Sequence, residues 1–267
     1  QPVPVEDLSN KGYIHGNYRV VKTSSISFPN LDMNQIKQDI KSAAGFSQTE
    51  LEEDGKTYFK KTRDGVDYHY ITGADRDCFL GILCGKYYET KTTYNIGASY
   101  NKKGPFKGVY YVNGDLNIRG DINLQGTFYV NGNVSIQYTK KTDNPIAAAI
   151  IAKGEIEIAN NNLYQDDPAI LNSFFWSLSD DFVIYGVGSH LKINGGVIAK
   201  NIVLNGVRGR TWENSRGGLV FDDQHYDLSS RLTIVYDEQF ITHPPEGVPT
   251  NEGFKLTQIG QWEYVDD

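Results

Sequence analysis

Apolar and polar residues between Val109 and Tyr138 repeat with a six-residue period. Five units run without a gap, VYYVNG, DLNIRG, DINLQG, TFYVNG and NVSIQY, with apolar residues at the second and fourth places and Gly closing the first four. Side chains two apart on a strand share a face, so each unit reads as a short strand with one apolar side. The closing glycines can take positive φ or a close backbone approach, which lets the chain turn a corner every six residues. Three such sides make a coil of 18 residues per turn, in which Tyr110 stacks beneath Phe128, Val112 beneath Val130, Leu116 beneath Val134 and Ile118 beneath Ile136. Matched apolar columns of this kind are what a parallel β-helix buries along its axis. The competing reading is an antiparallel meander, because Asn-Gly at 113–114 and 131–132 is a hairpin signal. Hairpin loops do not recur in strict six-residue phase, and the coil is preferred.

The unit returns downstream as AIIAKG (149–154), EIEIAN (155–160), DFVIYG (181–186), HLKING (190–195) and NIVLNG (201–206). The segments 149–161 and 196–206 also resemble one another directly, as equivalent sides of different turns would. Stretches 139–148 and 161–180 break the phase and read as loop insertions, the second carrying Phe174, Phe175 and Trp176. Upstream, Leu31, Ile36, Ile40 and Ala44 repeat at helical spacing and Gly45 supplies a stop, which predicts one helix over about 31–44. Its expected task is to cover an open end of the coil. Thr57 to Ile71 alternates around a turn at Gly65 and reads as a strand pair. Residues 219–223 and 231–236 read as further strands, His243-Pro244-Pro245 opens a loop, and the final FKLTQIGQWEYVDD reads as an edge strand. The expected fold is thus all-β, a right-handed parallel β-helix with long insertions and an N-terminal cap containing one α-helix. The cap spans 1–105 and the coil 106–267, as one continuous domain.

Composition changes this picture little. With 267 residues and 39% hydrophobic content the chain can bury a core, and 26 Lys plus Arg against 33 Asp plus Glu leave a net charge of −7. That balance argues against a dedicated nucleic-acid binder, although Lys102, Lys103 and Lys107 form a local basic group. No segment is apolar for the length of a membrane span, and no membrane contact is expected. The first residue is Gln rather than Met, which reads as a mature product or a fragment. Cys78 and Cys84 enclose FLGIL, compatible with a small disulfide loop or with buried free thiols.

The chemistry is sparse. Nucleophile, phosphate-loop and His-Glu-x-x-His motifs are absent, no zinc-type cysteine pairing exists, and no enzyme is expected. The acidic pairs Asp166-Asp167, Asp180-Asp181 and Asp222-Asp223 are poor catalytic partners, because adjacent strand residues face opposite ways. No cofactor is expected. The one set with cation-ligand chemistry is Asp222, Asp223, His225 and Asp227, which calcium would suit. Arg119-Gly120-Asp121 matches an adhesion tripeptide by letter, but its Gly is explained as a corner of the coil. What remains is aromatic: Phe174, Phe175, Trp176, Tyr164 and Trp212 in or near insertions, with Tyr87, Tyr88 and Tyr94 further upstream. Exposed rings stack on the apolar faces of sugars.

The helix announced by FPNLD, followed by GVYYVNGDLNI, AIIAKGEIEI and GGVIAKNIVLNG, resembles the β-helical extracellular domains of proteins linked to type IV pilus loci, including the minor pilins. Among these the Tyr- and Asn-rich make-up is most similar to the C-terminal domain of the tāpirins, cellulose-binding surface proteins of anaerobic thermophiles. The resemblance covers roughly 28–236. It implies secretion, display at the cell surface and non-catalytic attachment to insoluble polysaccharide, foremost crystalline cellulose, through aromatic residues on loops or a flat face. The alternatives are a pilus-associated structural subunit with a filament or DNA-uptake role, in contact with pilus or cell-surface components, and a polysaccharide lyase or hydrolase.

Overall fold

Two hydrogen-bonded sheets, wound about a common core, carry the chain through about five turns of a parallel β-solenoid. The computed structural model describes residues 31–79, 83–139, 147–221, 230–237, 240 and 243–248, and the elements below lie in the unit Asp32–Pro249. Helix α1 (Met33–Ala43) starts where the Asp32 carboxylate accepts from the backbone N–H of Asn34 and Gln35. A short helix α2 (Gln48–Asp54) follows, capped by Ser47. Strands β1 (Tyr58–Arg63) and β2 (Val66–Ile71) form the expected antiparallel pair around Asp64-Gly65. Next come β3 (Gly73–Asp75), β4 (Cys78–Phe79), β5 (Leu83–Cys84) and β6 (Tyr88–Thr90), with β3 paired to β6 and β4 to β5. Cys78 and Cys84 are joined as a disulfide, and the flanking Phe79 and Leu83 are 71% and 72% exposed. These two apolar residues are therefore not part of a core.

The coil proper is laid down by β7 (Thr92–Ile96), β8 (Phe106–Val112), β9 (Gly114–Arg119), β10 (Leu124–Val130), β11 (Val134–Gln137), β12 (Ala147–Ala152), β13 (Ile156–Ala159), β14 (Ala169–Ser177), β15 (Asp181–Tyr185), β16 (Leu191–Ile198) and β17 (Asn201–Asn205). After a small antiparallel pair, β18 (Thr211–Glu213) and β19 (Leu219–Phe221), the last rung is β20 (Leu232–Tyr236). The first sheet runs β1-β2-β8-β10-β12-β14-β16-β20 and the second β7-β9-β11-β13-β15-β17. Every neighbour in both is parallel except β1 and β2.

The four stacked pairs expected from the hexads all appear in register: Tyr110 on Phe128, Val112 on Val130, Leu116 on Val134 and Ile118 on Ile136. The resembling segments also coincide, since Ile151 aligns with Trp176 and Trp176 with Ile198, two turns apart. The third side differs from expectation. Gly120–Asn123 forms no ladder, only single bonds such as Gly120 N–H to the Gln137 carbonyl, while its Ile122 still enters the core. Gly126 is not a corner but a bend within β10. It stands at φ 118° beside Gly108 of β8, where an added Cβ would lie 2.1 Å from the Gly108 carbonyl oxygen. A side chain there would collide with backbone, and one at Gly108 would lie 2.1 Å from the Asp67 carbonyl oxygen, so each position separately requires glycine.

The 161–180 insertion is shorter than expected, because 169–177 is strand β14 in the first sheet. Phe175 points into the core and is 1% exposed, and Trp176 is 5% exposed. The middle of the first sheet is buried on both faces, over Val109–Val112, Thr127–Val130, Ala148–Ala152 and Phe175–Ser177, which replaces alternation there with continuous runs. Its outer face carries the register row Tyr70, Tyr111, Tyr129, Ile151 and Trp176, all buried. Helix α1 covers the β1, β2 and β8 end of that face, with Phe46 5.6 Å from the Tyr70 ring. Further along, the Tyr129 hydroxyl donates to the Gly247 carbonyl at 2.6 Å, and Phe174 stacks near Phe240. The helix thus lies on the flank of the sheet and not across the end of the coil, since the outer aromatic row needs a cover. It is held there by Lys37 and Lys41, which donate to the Glu89 carboxylate at 2.5 and 2.8 Å.

Candidate functional site: an aromatic corner beside a polar sheet

With the first sheet covered, the second sheet is the broad face left open. Its inward residues are apolar, and its outward positions on β9, β11 and β13 are polar: Asp115, Asn117, Ser135, Gln137 and Glu157 among them. Cross-strand ties hold these side chains in place. Asn117 donates to Asn95 at 3.0 Å, Gln137 to Glu157 at 3.3 Å, and the Asn133 N–H to the Asp115 carboxylate at 2.8 Å. Side chains in one row repeat at the strand spacing of about 4.8 Å.

The two corners of the coil are unequal. From the first sheet to the second the chain passes first through 72–91, which carries β3 to β6, and then through Asn113 alone, 131–133, 153–155, 178–180 and 199–200. The exit from the second sheet carries longer connections, including 138–146, 160–168 and 206–231. Long connections hold side chains that the ladder does not require.

Aromatic residues gather at this exit. Tyr138 follows β11 directly, Tyr185 ends β15, Tyr164 lies in 160–168 and Trp212 in β18. Tyr138, Tyr185 and Trp212 are 41%, 51% and 43% exposed. Tyr138 and Tyr164 adopt φ of 58° and 60°. Bulky residues rarely accept the left-handed region, which costs them about 1–2 kcal/mol, and such outliers cluster at functional sites. Arg119 places its guanidinium 4.7 Å from the Tyr138 ring centre.

Arg231 organises the same corner. It is 4% exposed, and its guanidinium donates to the carbonyls of Ser189 (3.1 Å), Gly209 (3.3 Å) and Gln165 (2.7 Å). One side chain thereby ties together three successive exit loops. Tyr164 packs against Gly188, whose carbonyl also receives the Tyr164 N–H at 2.9 Å and the Thr211 hydroxyl at 3.4 Å. Burial lowers the pKa of Arg231, with Asp166 opposing, and a guanidinium stays charged throughout.

An acidic group lies at the opposite, entry corner of the second sheet. Glu155 and Asp181 each precede a member of the register pair Ile156–Phe182, and Asn201 donates to Asp181 at 2.7 Å. Burial, and after it the neighbouring Glu157, Asp180 and Asp181 charges, raise the Glu155 pKa. Asp166 faces Arg210 at 3.6 Å. Among the described residues no group of His, Cys, Asp or Glu is arranged to hold a metal ion, and Asp222, Asp223, His225 and Asp227 lie outside them.

Of the aromatic residues singled out by sequence, Tyr164 and Trp212 reach this corner. Phe174, Phe175 and Trp176 belong to the first sheet, because they occupy rung positions where the core and the outer row require bulk. Tyr87 stacks under Arg76 near the disulfide hairpin, Tyr88 is exposed in β6, and Tyr94 packs on the core. Sequence reading missed Tyr138, Tyr185 and Arg231. The signal for the two tyrosines was an aromatic residue ending a unit, in NVSIQY and before the Gly of DFVIYG.

Fold and site together define a parallel β-solenoid with one covered sheet, one open polar sheet and an aromatic exit corner. No family model, curated protein or solved structure matches the chain.

Proposed function

We propose that this protein is a non-catalytic extracellular adhesin domain that binds insoluble polysaccharide, with crystalline cellulose as the foremost ligand. The observation that carries the reading is the exposure of Tyr138, Tyr185 and Trp212 at the strand ends and connections on the exit side of the polar sheet. Rings at such an edge stack on the apolar faces of sugar units, and the ordered Asn, Gln and Asp rows beside them offer hydrogen bonds to hydroxyls. A row that repeats every strand suits a ligand that is itself periodic. The Cys78–Cys84 disulfide supports an oxidising, extracellular setting.

The test is co-sedimentation with microcrystalline cellulose, run beside chitin and a DNA gel shift. The wild-type chain should leave the supernatant at low salt. Tyr185→Ala combined with Trp212→Ala should weaken retention about 5- to 150-fold, from about 0.5–1.5 kcal/mol for each ring. A protein that stays in solution with every insoluble glycan refutes the reading. A second reading, polysaccharide cleavage, rests on Glu155 and its raised pKa beside Asp181. It requires soluble sugar to appear in the same supernatants.

A further inference from the structure

Three cations gather where the first two turns leave the second sheet. Arg119 ends β9, and Lys102 and Lys103 lie on the connection from β7 to β8. That connection folds against β9: Gly97 follows Ile96, which stacks on Ile118, and an added Cβ at Gly97 would lie 2.3 Å from the Arg119 carbonyl oxygen. Lys102 exchanges two backbone hydrogen bonds with Gly97, at 2.7 and 3.0 Å, and the Lys103 carbonyl accepts the Asn123 N–H at 2.9 Å. Two adjacent turns therefore present three positive side chains, all exposed. Lys37, Lys41, Lys56, Lys60 and Lys86 each reach a carboxylate, whereas Lys102, Lys103 and Arg119 have no carboxylate partner among the described residues. Lys102 instead stands 5.4 Å from the Tyr94 ring centre, as Arg119 stands beside Tyr138. Gln137, which faces Arg119 in register, is engaged with Glu157. The backbone of Tyr138 is fixed from both sides, since the Gln137 carbonyl accepts the Gly120 N–H and the Thr139 N–H donates to the buried Asn161 side chain at 2.8 Å.

We infer that this patch binds the carboxylates of an acidic polysaccharide, a chain of uronate units. The inference rests on the polysaccharide reading above, because Tyr138 serves both. An arginine fork takes a carboxylate through two parallel hydrogen bonds, and a ring beside it takes the apolar face of the same sugar or its neighbour. Lys102 and Lys103, on the adjoining turn, meet the next carboxylate along such a chain. The net charge of −7 repels an acidic polymer as a whole, so attachment has to come from a local cationic group of this kind. Nucleic acid fits less well, since tight binding to its backbone draws on about 6–10 phosphate contacts and the patch supplies far fewer cations.

Native electrophoresis of the full chain through polymer-containing gels tests this with two forms of one polysaccharide, polygalacturonate and its methyl ester, in which the carboxylates are blocked. Polygalacturonate should retard the wild type, and the ester should bind at least about 5-fold more weakly. Arg119→Gln should weaken binding to polygalacturonate about 10-fold, through loss of one charge-assisted contact, with the far-ultraviolet circular dichroism unchanged. Lys102→Gln and Lys103→Gln, combined in one chain, should weaken it similarly while retention on microcrystalline cellulose stays as in wild type, and this chain decides the matter if Arg119→Gln loses its fold. Equal binding of the two forms, or folded variants that hold polygalacturonate as tightly as wild type, overturns the inference and leaves the polysaccharide reading standing. Failure to bind any glycan, charged or neutral, overturns both. A DNA gel shift that the same substitutions abolish assigns the patch to phosphodiesters and overturns the inference as well.

Discussion

Replacing Glu89 should release α1 from the solenoid and cost about 2–3 kcal/mol. Two ammonium groups donate to this carboxylate at 2.5 and 2.8 Å, and the side chains of Lys37, Lys41 and Glu89 are 20%, 21% and 17% exposed. A hydrogen bond to a charged group contributes about 1.5–3 kcal/mol, so the pair would reach about 3–6 kcal/mol if fully enclosed. Residual solvent contact screens it, and the freed lysines recover part of their hydration, which brings the figure down to the value above. In a unit of this size each kcal/mol shifts Tm by about 2–4 °C, so Glu89→Ala should melt roughly 4–12 °C lower. The interaction also has a pH signature. Burial alone would raise the Glu89 pKa, but the hydrogen bonds from Lys37 and Lys41 outweigh it and hold the carboxyl below its ordinary value. A folded-state pKa below the unfolded one stabilises fully above the ordinary Glu range, about 4.3, and the stabilisation disappears as pH falls through the folded value. Thermal melts of wild type, Glu89→Ala and Glu89→Gln between pH 3 and 7 measure both effects. Equal melting temperatures at pH 7, or an acid limb of the same steepness in Glu89→Gln as in wild type, would refute the reasoning.

Two further outcomes follow from buried cations and rings. His69 stacks on Tyr110 at 3.9 Å, receives the Tyr58 hydroxyl at Nδ1 (2.6 Å) and donates from Nε2 to the Lys107 carbonyl (3.1 Å). Burial, with Lys60 assisting, pushes its pKa down to about 4, so stability should fall as pH drops from about 6.5 towards 4, by on the order of 3 kcal/mol. His69→Phe keeps the stack and should flatten that part of the melting profile; an unchanged profile contradicts the assignment. Arg231→Ala should weaken cellulose retention more than it lowers Tm, because three exit-loop carbonyls lose their common donor while the ladders stay paired. Protease nicking confined to 160–168 and 206–218 would report the loosened loops, and uniform cleavage across the coil would count against this role.

The columns of the core were legible because a spacing of two apolar residues, repeated in phase, allows few other structures. Tyr110 on Phe128 and Leu116 on Val134 needed nothing beyond counting. The aromatic run at 174–176 was misread for a physical reason. A strand buried on both faces loses its alternation, so Phe174-Phe175-Trp176 looked like an insertion when it was a rung. The unpaired third side escaped notice because Ile122 keeps the apolar pattern while its backbone leaves the ladder. At the exit corner, the left-handed conformations of Tyr138 and Tyr164 and the carbonyl clasp of Arg231 depend on backbone placement, which residue type does not encode.

The unequal corners turn the coil into a ruler. An insertion on the exit side leaves the rungs undisturbed, and each doubling of loop length costs only about 0.6 kcal/mol of closure entropy. A side chain moved from one exit loop to the next is displaced along the axis by about one strand spacing, about 4.8 Å, and by little else. Groups shown at this corner are therefore separated in fixed steps. Loop exchange can alter what the protein holds by whole increments of spacing, independently of what holds the protein together.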